Sequence, residues 1–505
     1  MTMQTDVQGV LDRLKTAQQK PLGDPRFTSP IGLEKSTFSQ SASATSGLTF
    51  YDLELGAKFL YPVLTPLRNM IPRVSGKGGI QAAWRAITAI NTTGLRFGVS
   101  SANRGGVMAV ATKDYAATYK GIGVETSVDF EAQYAGQEFD DVRAVGAKTG
   151  LEALMLGEEA MILGGCTSTP LGTTPTPTLT ALTTGGTLAA QTWSVICAAL
   201  TLDGLMNGSI AGGVQGSITR TNADLSMDTF GGGVAKKSAN ATVTTTGATG
   251  SITASVTPVA GAMGYAWFWG AAGSEVLGAI TTINSVVITA NATGIQLASS
   301  LGTNDNSTNA LAFDGLIYQV LIPGSGSYVS TMASGSAGIG TPLTSDSAGG
   351  IVEIDAALKS MWDNYRLSPD TMWVNSQEAL NISRKILSGS QTAAQRFVFE
   401  SSQDLVGGGI MVRTYLNRFS MQGGSVIDIH VHPNMPAGAI LMTTKTLPYP
   451  LAGVGNVVQI RTRQDYYQIE WPLRTRKYEY GVYADEVLQN YFPPSLALIT
   501  NIGNG

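Results

Sequence analysis

The sequence predicts an α+β protein into which an all-β sandwich has been inserted. Three observations carry this. Over Phe139 to Leu163, residues Leu151, Leu154, Met155, Met161 and Ile162 fall at the i, i+3, i+4, i+7 spacing of one apolar helical stripe. From Phe313 onward, helical and antiparallel-strand patterns are mixed in one region. Between the two, a Thr/Gly/Pro-rich run opens onto short alternating strands with almost no helical period.

The 505 residues suffice for two to four domains. Only 13% are charged, about half the usual share, while 60 are Gly. So little charge protects a lone monomer poorly, and it predicts a surface covered by copies of the same chain. A net charge of -4 gives no electrostatic footprint for nucleic acid or an anionic membrane. Cys166 and Cys197 are the only cysteines, which excludes a disulfide scaffold and a four-cysteine metal site and leaves one bridge open. The start MTMQTD lacks a secretion pattern, and no apolar run approaches the length of a membrane span, so synthesis in a cytoplasm is expected.

Taken in order, residues 1–47 are polar, with one amphipathic piece (Val7, Val10, Leu11, Leu14), and read as an arm. Leu48 to Val74 is apolar and aromatic, but Pro62, Pro66 and Pro72 break it into extended pieces that lie along another surface. Strand-like runs at Ile80 to Ile90 and Ala116 to Phe130 flank the tip GVSSANRGGV, which makes a long hairpin. Such a ribbon is marginal alone and needs a neighbour. The long helix follows. Asp140, Asp141, Lys148, Glu152 and Glu159 are its polar positions, and Gly164 with Gly165 is expected to stop it in a left-handed turn. Gly146, Gly150 and Gly157 each cost about 1 kcal/mol against Ala, so the helix depends on packing.

The run CTSTPLGTTPTPTLTALTTGGT reads as a linker. Beyond it, Trp193, Val195, Cys197 and Ala199 alternate with Ser194, Ile196, Ala198 and Leu200, and Tyr265, Trp267 and Trp269 line one face of YAWFW. These strands predict a separate β-sandwich over about 169–300, similar to fibronectin type III or immunoglobulin-like modules. After Phe313 come a helix over Ile351 to Tyr365 (Ala356, Leu358 and Met361 apolar), a buried strand over Thr371 to Val374, and an Asn375/Glu378 capping box opening a helix through Leu387. Strands follow at Gly409 to Leu416, Val426 to Val431, Ala439 to Met442, Val457 to Arg463 and Tyr466 to Trp471, then the final PPSLALITNI. The chain thus divides into an arm (1–75), a hairpin (76–129), a helical spine (130–168), the sandwich (169–300) and the remainder (301–505).

Little of this supports chemistry. Asp428, His430 and His432 alternate onto one strand face and could form a metal set, but they read better as a half-exposed strand, since these are the only two histidines. That scarcity also disfavours Ser/His or Cys/His catalysis. GSAGIG, AGVGNV and SGKGG miss the dinucleotide and phosphate-loop spacings. The pairs Asp140/Asp141 and Glu158/Glu159 read as solvated helix faces. Arg461, Arg463, Arg474, Arg476 and Lys477 with interleaved tyrosines could suggest nucleic acid, but Asp465, Glu470, Glu479, Asp485 and Glu486 interrupt them, which fits inter-subunit ion pairs better. No catalytic, cofactor-binding or metal-ligating residue is assigned, and no enzyme is expected.

The order of a polar arm, YPVLTPLRNMIPRVSGKGG leading into a hairpin, a long helix ending EEAMILGG, and a terminal region with LSPDTMWVNSQEALNISRKIL, DIHVHPNMPAGAILM and YEYGVYADEVLQNYFPPSLALITNI resembles the major capsid proteins of tailed bacteriophages. It covers roughly Leu48 to Gly165 and Phe313 to Ile502. The resemblance implies that the hairpin is an extended loop, the long helix is the spine of a peripheral domain, and the Pro369 unit belongs to an axial domain. It also implies hexamers and pentamers in an icosahedral shell around double-stranded DNA, with decoration, scaffolding and portal proteins as partners. No cofactor, membrane or small-molecule substrate is implied, and the place is the virion. Some relatives join the loop to a neighbour through a Lys–Asn bond; Lys113 and Lys120 lie near it here, but nothing identifies an acceptor, and crosslinking is not expected. The sandwich departs from the plainest members and looks like an outward-facing accessory domain. The alternative is an adhesin or fibre component that uses the sandwich as its binding module, which the absence of tandem sandwiches disfavours; a metal hydrolase on Asp428, His430 and His432 ranks third.

Overall fold

A computed structural model describes residues 60–90, 98–136, 140–388, 411–421 and 423–504. The polar arm over 1–47, with its amphipathic piece, lies outside the described residues. The chain first forms α1 (Pro66–Met70), β1 (Arg73–Ser75), β2 (Gln81–Ile90), β3 (Val110–Thr118), β4 (Lys120–Asp129), α2 (Phe130–Ala135) and α3 (Val142–Gly164). Next come β5 (Thr178–Leu182), β6 (Thr192–Leu200), α4 (Leu202–Asn207), β7 (Ser217–Thr221), β8 (Met227–Gly231) and β9 (Ala241–Thr244). Strands β10 (Ser251–Ser255), β11 (Gly264–Gly270), β12 (Val276–Thr281) and β13 (Ser285–Ile288) complete that middle part. Then follow α5 (Leu316–Leu321), β14 (Tyr328–Thr331), α6 (Val352–Tyr365), β15 (Thr371–Val374) and α7 (Ser376–Ser388). The chain finishes with β16 (Thr414–Asn417), β17 (Ser425–Val431), β18 (Ile440–Thr443), β19 (Val458–Glu470), β20 (Lys477–Asn490) and β21 (Leu496–Thr500).

The expected hairpin is shorter than its sequence pattern. Only β2 and β3 pair with each other, while β4 leaves the ribbon and pairs antiparallel with β20 in the sheet β1-β19-β20-β4. Tyr119 makes the break: it is buried in the core below the ribbon, and its N–H donates to the Ile80 carbonyl at 3.1 Å. Both halves of Ala116 to Phe130 alternate, so periodicity could not show that they serve different sheets.

Helix α3 lies on β4 and β20. Asp141 caps it, its carboxylate accepting from the N–H groups of Arg143 (3.1 Å) and Ala144 (3.2 Å). It therefore begins after Phe139, which is outside the described residues, and the separate short α2 precedes it. A Cβ at Gly146 or Gly150 would come within 3.1 or 3.0 Å of Thr126, so glycine permits this close helix-to-sheet approach. The expected stripe is also rearranged. Leu154, Ile162 and Leu163 are buried together with Glu158 and Glu159, while Leu151, Met155 and Met161 are only half-buried. Gly165 is not left-handed (φ -58°, ψ 135°); it is needed because a Cβ there would strike the Phe313 carbonyl.

The middle segment forms two antiparallel sheets, β13-β10-β5 and β12-β11-β6-β9, that share a core including Trp193, Val195, Ile252, Trp267 and Ile288. The run read as a linker contains β5, and Leu171 and Thr174 within it are buried. The four-stranded sheet is covered on both faces. Ile196, Ala198, Ala266 and Phe268 on its other face join a core with Leu163, Phe313 and Tyr318. Tyr318 fixes this junction, accepting from the Leu202 N–H (3.1 Å) and donating to the Gly261 carbonyl (3.2 Å). The segment expected to fold separately thus shares its core with the rest of the chain. Cys166 and Cys197 are both buried and free, and burial pushes the Cys166 thiol up to about 11, which leaves it a poor nucleophile.

The last layer is the mixed sheet β14-β21-β18-β15-β17-β16. One face, with Met372, Val374, Ile440 and Met442, packs under α6 and α7; the other, with Trp373, Leu441 and Leu498, meets the first core. On α6, Ile354, Ala357, Leu358 and Met361 are buried, and Ala356 faces solvent instead. Asn375 caps α7 by accepting from the Gln377 N–H at 3.0 Å. Glu378 does not complete the expected box; it is buried and accepts from the Gly438 N–H at 3.1 Å, and burial pushes its carboxyl up to about 7. The two strands expected over Val457 to Trp471 are one, β19, with register shifts between Thr462 and Tyr467.

Candidate assembly surface

Among the described residues, the β2–β3 ribbon is anchored at its base. Ala82 is buried there, and Trp84 stacks on Tyr115 (5.8 Å between centroids) while meeting Tyr491 edge-on (5.7 Å). Further out, Ile87 (67% exposed), Ile90 and Val110 stand on strands that pair with no third strand among the described residues. At the described part of the tip, Val107 (88% exposed) and Met108 also face solvent. The polar contacts on the ribbon are local: Arg85 pairs with Asp114 across the strands, and the Lys113 ammonium sits 5.1 Å over the Tyr115 ring. Lys120, below the break, donates to the Ala310 carbonyl at 2.6 Å and is tied to the body.

The segment feeding the ribbon is held by buried charge. Glu159 accepts from the N–H groups of Leu67 (2.8 Å) and Arg68 (2.7 Å) in the first turn of α1, and from His432 Nε2 (2.6 Å). Because His432 Nδ1 accepts from the Asn434 N–H (3.1 Å), the ring proton resides on Nε2 and is donated to Glu159. Next to it, Glu158 meets Arg68 Nε (3.3 Å), and at short range Arg73 and the Tyr466 hydroxyl. Arg73 also reaches Asp465 and Glu486, each at 2.7 Å. Burial pushes the Glu486 carboxyl up to about 8, with the neighbouring Glu158 acting in the same direction and Arg73 opposing. One cluster thus locks α1, β1, α3, β19–β20 and the end of β17 together.

This corrects the reading of Glu158/Glu159 as a solvated face: the side chains of both are fully buried. The signal was available, since Glu158 and Glu159 precede Ile162 and Leu163 by four residues and therefore lie on the buried side. Asp428, His430 and His432 are not brought together. Asp428 and His430 are exposed on β17, His430 stacked on Trp373 at 5.1 Å, whereas His432 lies past the strand end and turns inward with both nitrogens engaged. Of the late basic residues, three form ion pairs within the chain: Arg463 with Asp485 (2.7 Å), Arg476 with Glu131 (3.0 Å) and Lys477 with Asp129 (3.2 Å).

No protein-family model and no curated protein sequence matches the chain. Among solved structures, the holo-SrpI encapsulin complex from Synechococcus elongatus is similar at 9% identity and a TM-score of 0.38, over 89% of this chain and 92% of that one. The capsid of Myoviridae phage XM1 is similar at 9% identity and a TM-score of 0.37, over 90% and 96%. A structure of Mycobacterium phage Bobi is similar at 9% identity and a TM-score of 0.39, over 91% and 96%.

Proposed function

We propose that this chain is a structural subunit that assembles, in many copies, into the icosahedral head shell of a tailed phage around double-stranded DNA. The observation that carries the reading is the β2–β3 ribbon, whose outer half exposes Ile87, Ile90, Val107 and Met108 without cover from the described residues. A two-stranded ribbon is marginal in water. Laid across an adjacent copy, it would bury apolar surface worth about 25 cal/mol per Å². Repetition around a closed lattice multiplies contacts that are weak singly.

Two further features support this. The buried Glu158/Glu159 cluster gives the ribbon a rigid base, so that force at the tip is carried into the spine helix. The burial of the four-stranded sheet on both faces supports reading the inserted sheets as part of the wall and not as a free binding module. On this reading the chain is no enzyme, its main partners are its own copies in hexamers and pentamers, and scaffolding, decoration and portal proteins meet the same shell. The test is negative-stain microscopy of the expressed chain beside a variant with Ile87, Ile90, Val107 and Met108 changed to Ser. Shells or capsomer rings from the parent, and soluble folded monomers from the variant, are expected. Normal particles from the variant would sink the proposal.

A further inference from the structure

A cavity of about 110 Å³ lies between α1 and the six-stranded sheet. Leu67, Ile71 and Val458 supply apolar wall, and Trp373, Thr443 and Thr444 supply the buried polar part, with Asn456 exposed at the rim. Trp373, Thr443 and Thr444 are 2%, 7% and 3% exposed, and the Trp373 Nε1 and both hydroxyls have no hydrogen-bond partner among the described residues. Burying three such groups unpaired is costly, and all three line one cavity.

The lining decides which ligand satisfies them. An indole N–H only donates, and the two hydroxyls can donate as well. Lys445 lines the solvent side and no Asp or Glu lines the cavity at all, so the complement is an acceptor with negative charge. Apolar walls exclude a bare inorganic anion and ask for a hydrocarbon stem. A dry cavity of about 150 Å³ accepts the six carbons of benzene, so this one of about 110 Å³ accommodates about four or five heavy atoms in all, a carboxylate on a stem of one or two carbons.

We propose that this cavity binds a short-chain monocarboxylate, its stem against Leu67, Ile71 and Val458 and its carboxylate accepting from Trp373, Thr443 and Thr444 beside Lys445. The ligand would bridge the arm segment and the sheet, and its binding does not depend on the shell reading. The test is calorimetric titration of the intact chain with propionate, with propylamine and propanol as controls. Saturable binding of propionate is expected within about 20 mM, the range suited to about five heavy atoms. Lys445→Met, an exposed position that leaves the fold intact, should weaken it about tenfold, and Thr444→Val by a similar factor. Absence of saturable heat would mean that water alone serves these groups and would overturn the site. Propylamine binding as tightly as propionate would overturn its sign, and unchanged binding in both variants would overturn its location.

Discussion

Glu159 shows how much one side chain can organise. Its carboxylate satisfies two backbone N–H groups of α1 and the ring of His432, all out of water. Truncating it strands three donors, and breaking a buried pair in this way costs about 3–5 kcal/mol. Urea unfolding of Glu159→Ala should show a loss of that size; a loss under about 1 kcal/mol would mean that the cluster does not secure the arm. Glu486 makes a second prediction, through pH. Its folded value near 8 stands above the ordinary 4.5, so the folded state holds the proton more tightly than the unfolded one. Stability from this group is full below about 4.5 and declines as pH rises toward 8, at a limiting slope of about 1.4 kcal/mol per unit. Glu486→Gln should flatten the denaturation midpoint against pH across that window. An unchanged slope would assign the pH dependence elsewhere, with Glu378, pushed up to about 7, the next group to test.

At the scale of elements, the glycines of α3 separate helix propensity from packing. Gly146 and Gly150 face Thr126 at contact distance, whereas a Cβ at Gly157 meets nothing within 4 Å. Gly157→Ala should stabilise the protein by about 1 kcal/mol through propensity alone. Gly146→Ala gains the same propensity but forces the helix off the sheet, and a net loss of about 1–2 kcal/mol is expected. Thermal unfolding of the two variants should move in opposite directions; equal shifts would contradict the close packing. The sequence showed that these glycines need a neighbour, but not which of the three touches it, because that depends on how α3 is rotated over β4 and β20.

For the molecule as a whole, the balance between ribbon and body decides behaviour. Among the described residues, the outer ribbon exposes Ile87, Ile90, Val107 and Met108, and its Arg85–Asp114 ion pair is satisfied across its own strands. Assembly driven by such a surface should weaken on cooling and respond only modestly to salt, since apolar burial loses strength at low temperature and screening acts on exposed charge. Light scattering between about 5 and 35 °C, at low and high salt, checks this. Dissociation by salt at constant temperature would point instead to ion pairs between copies. The four-stranded sheet β12-β11-β6-β9 shares the body's core, since Ile196 and Phe268 lie together with Leu163 and Phe313.

Several features followed from the sequence alone because they are set by neighbours in the chain. The buried strand Thr371–Val374, helix α6, the Asn375 cap and the exposed ribbon each rest on periodicity or side chains within a few residues. The fate of Glu159 does not: its partners lie 92 and 273 residues away, and only the folded chain reveals that a carboxylate there is matched and can be buried. The same holds for β4, which alternates equally well for either sheet, and for β6, whose two buried faces answer to different cores. Local pattern chooses the elements; which surfaces close over them is decided by packing between distant segments, which one stretch of sequence does not contain.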